Sequence, residues 1–165
     1  MSAICVFTNN INNKIKGEVN FKETLRGLKI KISISGLSPG LHGFHIHETG
    51  DLTDNCSSLC SHFNPTNSVH GGRDSKERHL GDLGNIKVDK KGCCEMIIYD
   101  KDLRITGKYG ILGRSVVIHS GEDDLGKGGI DSNGNIIDEK VREESLKTGN
   151  AGKRIACGVI GIKKI

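Results

Sequence analysis

Between residues 29 and 35 the chain alternates without a break. Ile30, Ile32 and Ile34 fall on one side, and Lys29, Lys31, Ser33 and Ser35 on the other. A period of two is that of a strand with one dry face and one wet face. Residues 3–8 and 15–21 flank a polar cluster at 9–14 and predict a first hairpin. Residues 41–48 follow a Gly- and Pro-containing turn at 36–40. Residues 82–88 and 94–99 flank the turn sequence DKKG and predict a second hairpin. Residues 115–119 and 155–162 complete eight strands, and the one helical suggestion is a turn near 139–145. Two stretches, 49–81 and 120–150, have no period at all. Loops of that length need something to tie them down. The pattern predicts an all-β fold, an eight-stranded sandwich or closed barrel, in a single domain over residues 1–165.

Composition sharpens this. Glycine makes up 23 of 165 residues, aromatics 4%, and there is no Trp, as expected of short strands joined by many turns. The net charge of +4 is small and dispersed along the chain, which argues against a nucleic-acid partner. No apolar run approaches the ~18 residues of a membrane span. The start MSAICVFTNN has neither a charged lead nor an apolar core, so an intracellular, cytoplasmic protein is expected. Six cysteines in such a chain read by default as free thiols.

The chemistry lies in the histidines. Six of the seven fall between residues 42 and 79. His45 and His47 are two apart on a strand, hence on one face, with Ile46 turned to the core. His119 closes the apolar run SVVIH and offers a third nitrogen from another strand. His62, His70, His79 and Asp82 supply three nitrogens and one oxygen, a donor set suited to a closed tetrahedral zinc site. Gly71, Gly72, Gly81 and Gly84 allow the turns that would gather them. The spacing predicts two metal sites.

The segments GFHIHETGD, HFNPTNSVHGG, ERHLGDLGN, GRSVVIHSGEDDLGKGG and KTGNAGKRIACGVIGI occur in order along the chain. Together they resemble the copper/zinc superoxide dismutases. The resemblance implies a Greek-key β-barrel with two long functional loops, one copper and one zinc ion per subunit, and superoxide as substrate. It implies copper held by His45, His47, His62 and His119, and zinc held by His62, His70, His79 and Asp82, with His62 bridging. Asp123 is implied as the carboxylate bonded to one histidine of each set. His62 and Arg154 are implied as the catalytic residues, Arg154 guiding the anion. Glu143, Glu144, Lys147 and Thr148 match the substrate-channel loop, and Cys56 and Cys157 match an intrasubunit disulfide. A homodimer through residues 158–162 and the segments around Gly50 and Leu112 is implied, with a copper chaperone as a further partner.

The chain departs from that pattern in two places. Cys60 and Ser61 precede His62 where the family has glycine and proline, making Cys60 a rival partner for Cys157. Residues 130–142 lengthen the second loop; the turn sequence SNGN suggests an outward excursion, with Ile136 and Ile137 packing back on the barrel. That loop carries eight acids and four bases over residues 120–150, so an anionic substrate depends on local placement of charge. Two other readings use the same fold. A copper-delivery module would bring a CxxC motif, which this chain lacks, and an inactive decoy would lack a copper histidine or the arginine, which this chain keeps.

Overall fold

A computed structural model describes residues 1–164. The eight expected strands are present, and a ninth, two residues long, joins them. In chain order they are β1 (Ser2–Val6), β2 (Asn9–Asn10), β3 (Lys16–Thr24), β4 (Gly27–Ser35), β5 (Gly40–His47), β6 (Asp82–Val88), β7 (Cys93–Asp100), β8 (Ser115–His119) and β9 (Arg154–Ile162). They form one antiparallel sheet in the order β6-β5-β8-β9-β1-β3-β4-β7, curled into a nearly closed barrel. The connections β4–β5 and β7–β8 join strands that are not neighbours and so cross the barrel, as in a Greek key. The isoleucines of β4 face inward and are buried with Val19, Phe21, Phe44, Ile46, Leu83, Ile86 and Ile118.

The second hairpin differs from expectation. Asp89 and Cys93 close the turn between β6 and β7 through Asp89 N to Cys93 O (2.8 Å). The two strands then diverge and become the opposite ends of the sheet. Local alternation promotes pairing, but each strand already has a long ladder on its other side, with β5 and β4 respectively. The first expected turn also differs: Asn9 and Asn10 leave β1 to pair with Cys157 and Ala156 of β9.

β8 is buried along its whole length. Val116 and Ile118 join the barrel core, whereas Val117 faces outward into a second small core with Cys56, Leu59 and Cys157. This is where the first long loop lies down on the barrel. A 3-10 turn (Ser57–Leu59) supplies Leu59, and the Cys56–Cys157 disulfide closes the contact across 101 positions. Chain-entropy arguments give such a closure about 4–5 kcal/mol. Cys60, the rival thiol, is free and exposed.

The second long loop contains one helix, α1 (Glu139–Thr148), longer than the single turn expected. Asp138 caps its start by accepting from Val141 N (3.0 Å). Gly149 ends it in the left-handed conformation (φ 73°), its N–H on Ser145 O. The lengthened segment is part tip and part helix. Asp131 organises a tight turn by accepting from Asn133 N and Asn135 N. Ile136 and Ile137 do not pack back on the barrel: they are 60% and 70% exposed. The turn on Asp131 folds the segment on itself, Ile136 bridging to Ile130 and Ile137 N donating to Gly129 O, so both side chains are left to solvent. Among the described residues no helix is long and apolar enough to cross a membrane.

Candidate metal centre

The β5 pattern places His45 and His47 on one side of the strand, and β8 delivers His119 at its end beside them. His62 arrives from the first long loop, where it forms a bridge with His47. Gly81 lets that loop approach: a Cβ there would lie 2.1 Å from Ile46 O. Donor atoms gather in two overlapping quartets, His45–His47–His62–His119 and His45–His62–His70–Asp82, each within 4.8 Å. His79 adjoins the second, its Nδ1 lying 3.3 Å from Asp82 Oδ1 and 3.3 Å from His62 Nδ1.

Each histidine is held by one nitrogen. His47 Nδ1 donates to Cys60 O (2.9 Å) and His119 Nδ1 donates to Gly152 O (3.0 Å). His45 Nε2 and His70 Nε2 donate to the two oxygens of buried Asp123, at 2.6 and 2.8 Å. An acceptor at one nitrogen fixes the proton there and leaves a lone pair on the other. Those other nitrogens, His45 Nδ1, His47 Nε2, His70 Nδ1 and His119 Nε2, are buried without a hydrogen-bond partner among the described residues. His70 Nδ1 is 3.0 Å from Asp82 Oδ2, but too poorly aligned to count as bonded. Orphaned lone pairs inside a protein, as on His45, His47 and His119, are costly unless something binds them. A metal cation does.

Electrostatics agree. Burial holds the His45 and His47 rings well below their ordinary 6.5 and His119 at about 4, with His62 adding to each effect. Burial also lowers His62, against the pull of Asp82. These rings are therefore neutral donors at neutral pH. His70 behaves oppositely: burial pushes it down, but its bond to Asp123 and the carboxylate of Asp82 beside it outweigh that and raise it to about 9. Asp82 is also buried, which favours its neutral form, yet contacts with His62, His70 and His79 hold it far below the usual carboxylate range. Without a metal the second quartet thus holds a buried His70–Asp82 ion pair, in which a bound cation would take the place of the extra His70 proton.

The two quartets differ in access. His47, His62 and His119 line a cleft of about 540 Å³ with Glu144, Lys147, Thr148 and Arg154. His70, His79 and Asp82 lie behind it and are buried. An open site beside a closed one is the usual division between a catalytic metal and a structural metal. Arg154 is fixed at the rim, Nη1 on Cys56 O (2.8 Å) and Nη2 on Cys60 O (2.6 Å). Lys153 and Lys147 join it there against Glu144 alone, so the cleft is cationic although its loop is acidic overall. Glu143 does not line the cleft; it pairs with Lys147 from the helix surface (2.7 Å).

The family model for copper/zinc superoxide dismutase (SODC) matches residues 15–160. The chain belongs to the copper/zinc superoxide dismutase family. It is 50% identical over 165 residues to the Cu-Zn superoxide dismutase of Paramecium bursaria Chlorella virus 1, covering 99% of this chain and 80% of that one. It is 46% identical to Cu-Zn superoxide dismutase 3 of Arabidopsis thaliana over 92% of this chain and 86% of that one. It is equally similar, at 46%, to the extracellular Cu-Zn superoxide dismutase of Drosophila melanogaster, covering 92% of this chain and 78% of that one. The crystal structure of the clock protein EA4 superposes with a TM-score of 0.85 at 40% identity, over 98% of this chain and 94% of that one.

Four residues that sequence pattern does not single out support the dismutase centre. His42 places Nδ1 on His119 O (2.8 Å) and Nε2 on Ser38 O (2.9 Å), tying β8 to the turn before β5. Asn85 clasps the Asp123 backbone, donating to its O and accepting from its N. Arg78 donates to Asp82 O and pairs with buried Asp100. Arg114 stacks 3.7 Å from the Phe63 ring centroid and donates to Glu48 O, bracing the segments on either side of the His47–His62 bridge. Only the crowding of three histidines in six positions could have drawn attention to His42; the other three look like ordinary surface polar residues in the sequence.

Proposed function

We propose that this chain dismutates superoxide with a copper and a zinc ion in each subunit, held by the two quartets. His45, His47, His62 and His119 take copper; His62, His70, His79 and Asp82 take zinc. By distance His45 belongs to both quartets; the family resemblance assigns it to the first set and His79, beside Asp82 and His62, to the second. The observation that carries the reading is the set of four buried ring nitrogens without a hydrogen-bond partner, three on the copper histidines and one on His70 beside Asp82.

A copper ion held there would supply one-electron chemistry, since it passes readily between two oxidation states. The overall change is two superoxide anions and two protons to dioxygen and hydrogen peroxide. The chain's own residues provide the rest. Arg154 stays charged at any working pH and, with Lys147, draws a small anion into the cleft. Thr148 Oγ1 is turned onto Glu144 Oε1 (2.7 Å), which holds that carboxylate to the helix. His62 turns Nδ1 inward to Asp82, leaving its opposite nitrogen on the cleft side to hold and release a proton toward the nascent peroxide. Asp123 fixes the tautomers of His45 and His70 together and so couples the two sites.

A homodimer belongs to the same proposal. Val159 and Ile162 of β9 are exposed apolar side chains, and Gly50 packs so closely on Gly113 O that a Cβ would lie at 2.4 Å. That close approach leaves a low surface suited to a second copy. Copper loading by a chaperone is proposed with it. The test is metal analysis of the purified protein beside superoxide consumption. Near-equimolar copper and zinc with fast turnover is expected. A metal-loaded protein that leaves superoxide untouched would overturn the reading.

A further inference from the structure

The sequence spreads its cations, but the fold gathers them. β9 runs from Arg154 at the cleft to Ile162; β1 pairs Ala3 with Ile162 and Ser2 with Lys22. The β3–β4 tip lies at the barrel end to which β5 brings His47 and β6 brings Asp82, but on the β1-β3-β4-β7 half of the sheet, whereas the cleft lies on the β5-β8-β9 half. Around it stand Lys22, Arg26, Lys29, Lys101 and Arg104. None of the five has a carboxylate within ion-pair distance among the described residues. Of the acids nearby, Asp100 and Asp102 face Arg78, and Glu23, which accepts from Ile105 N, is a single carboxylate among the five cations. Lys22 and Lys29 stand directly opposite each other in the β3–β4 register. Like charges so placed repel. At the apex Leu25 is fully exposed, and Tyr99 lies beside it, 41% exposed. Two grooves, of about 680 and 400 Å³, flank the tip and share Leu25, Arg26 and Tyr99.

We infer that this pole docks on an anionic phospholipid surface, with Leu25 entering the interface and the five cations meeting lipid phosphates. A lone exposed leucine needs no explanation. One at the apex of a hairpin, ringed by unpaired cations with an amphipathic tyrosine at its base, matches the arrangement that binds anionic interfaces. A soluble polyanion would use the cations but gain nothing from Leu25; a bilayer uses both. The cleft, on the other half of the sheet, would then stay open to superoxide.

The test is co-sedimentation of the metal-loaded protein with phosphatidylcholine vesicles, with and without phosphatidylserine as the minor lipid, at low salt. Binding at least tenfold stronger to the phosphatidylserine vesicles is expected, roughly the effect of two or more cations at the surface. Leu25→Asp should weaken it about tenfold, and Lys22→Glu with Arg26→Glu should remove the lipid preference. Superoxide consumption, unchanged in both variants, shows that each is folded; Leu25→Ala gives a milder second probe. Equal binding to both vesicle types, undiminished binding by Leu25→Asp, or binding to heparin or single-stranded DNA without binding to vesicles would overturn the proposal.

Discussion

Replacing Cys60 by glycine should stabilise the protein. Cys60 has φ 61° and ψ −155°, a region that is essentially glycine's own. The conformation is imposed by the metal centre, because it aims the Cys60 carbonyl at both His47 Nδ1 (2.9 Å) and Arg154 Nη2 (2.6 Å). A side chain there costs about 1–3 kcal/mol of backbone strain. Glycine removes that strain but loses about 0.5–1 kcal/mol through the greater freedom of the unfolded chain. The net expectation is a gain of up to about 2.5 kcal/mol, centred near 1 kcal/mol, or a rise of roughly 2–4 °C in Tm at that centre for a chain of this size. Thermal melts of the metal-free, disulfide-intact protein measure it. Cys60→Ala is the control, since it removes the thiol but keeps the Cβ and should show no such gain. A glycine variant no more stable than the alanine variant would refute the reasoning.

Three further expectations follow from the same geometry. Asp82→Ala should lose zinc first and stability second. It removes one donor and leaves Gly71 N and His79 N without their acceptor, at about 1–3 kcal/mol each; unchanged zinc content and Tm would refute the role. Arg154→Ala should slow superoxide consumption without removing metal and flatten its dependence on ionic strength, because the guiding charge acts on encounter; identical rates across salt concentrations would rule this out. In the metal-free protein, His119 is held at about 4 against 6.5 in the unfolded chain, so the unfolded state binds the extra proton between those values. Stability should therefore be fully present above pH 6.5 and fall as the pH drops toward 4, by on the order of 3 kcal/mol from this residue. His70, raised to about 9, works the other way: its contribution is present below 6.5 and fades as the pH rises through 9. Melting temperatures of the metal-free protein between those limits check both signs.

The parts of the fold that were legible are those where one local rule decides. The alternation of β4 fixes its two faces, and the HxH of β5 fixes a shared face for His45 and His47. The β6–β7 separation was not legible, because a turn flanked by alternating residues looks the same whether or not the strands go on to pair. Closure of the barrel decides that, and closure involves partners far away in the chain. Ile136 and Ile137 misled because apolar residues are ordinarily buried, while the turn built on Asp131 leaves them to solvent. The ends of α1 did leave signals, Asp138 before it and Gly149 after it, masked by a loop otherwise rich in turn residues. In the site, ligand types and order could be read from the chain. Support by His42, Asn85 and Arg114 could not, since each acts on a backbone atom that only the folded chain brings near.

The central claim is that one buried histidine system holds two metals with separable roles. His119→Ala tests it most directly, because His119 reaches the open quartet alone and takes no part in the closed one. Copper and zinc content should be measured on the same sample as superoxide consumption. The account predicts that zinc remains, copper is weakened and dismutation is lost. A variant that keeps full activity, or that loses zinc and copper together in a folded protein, would contradict it.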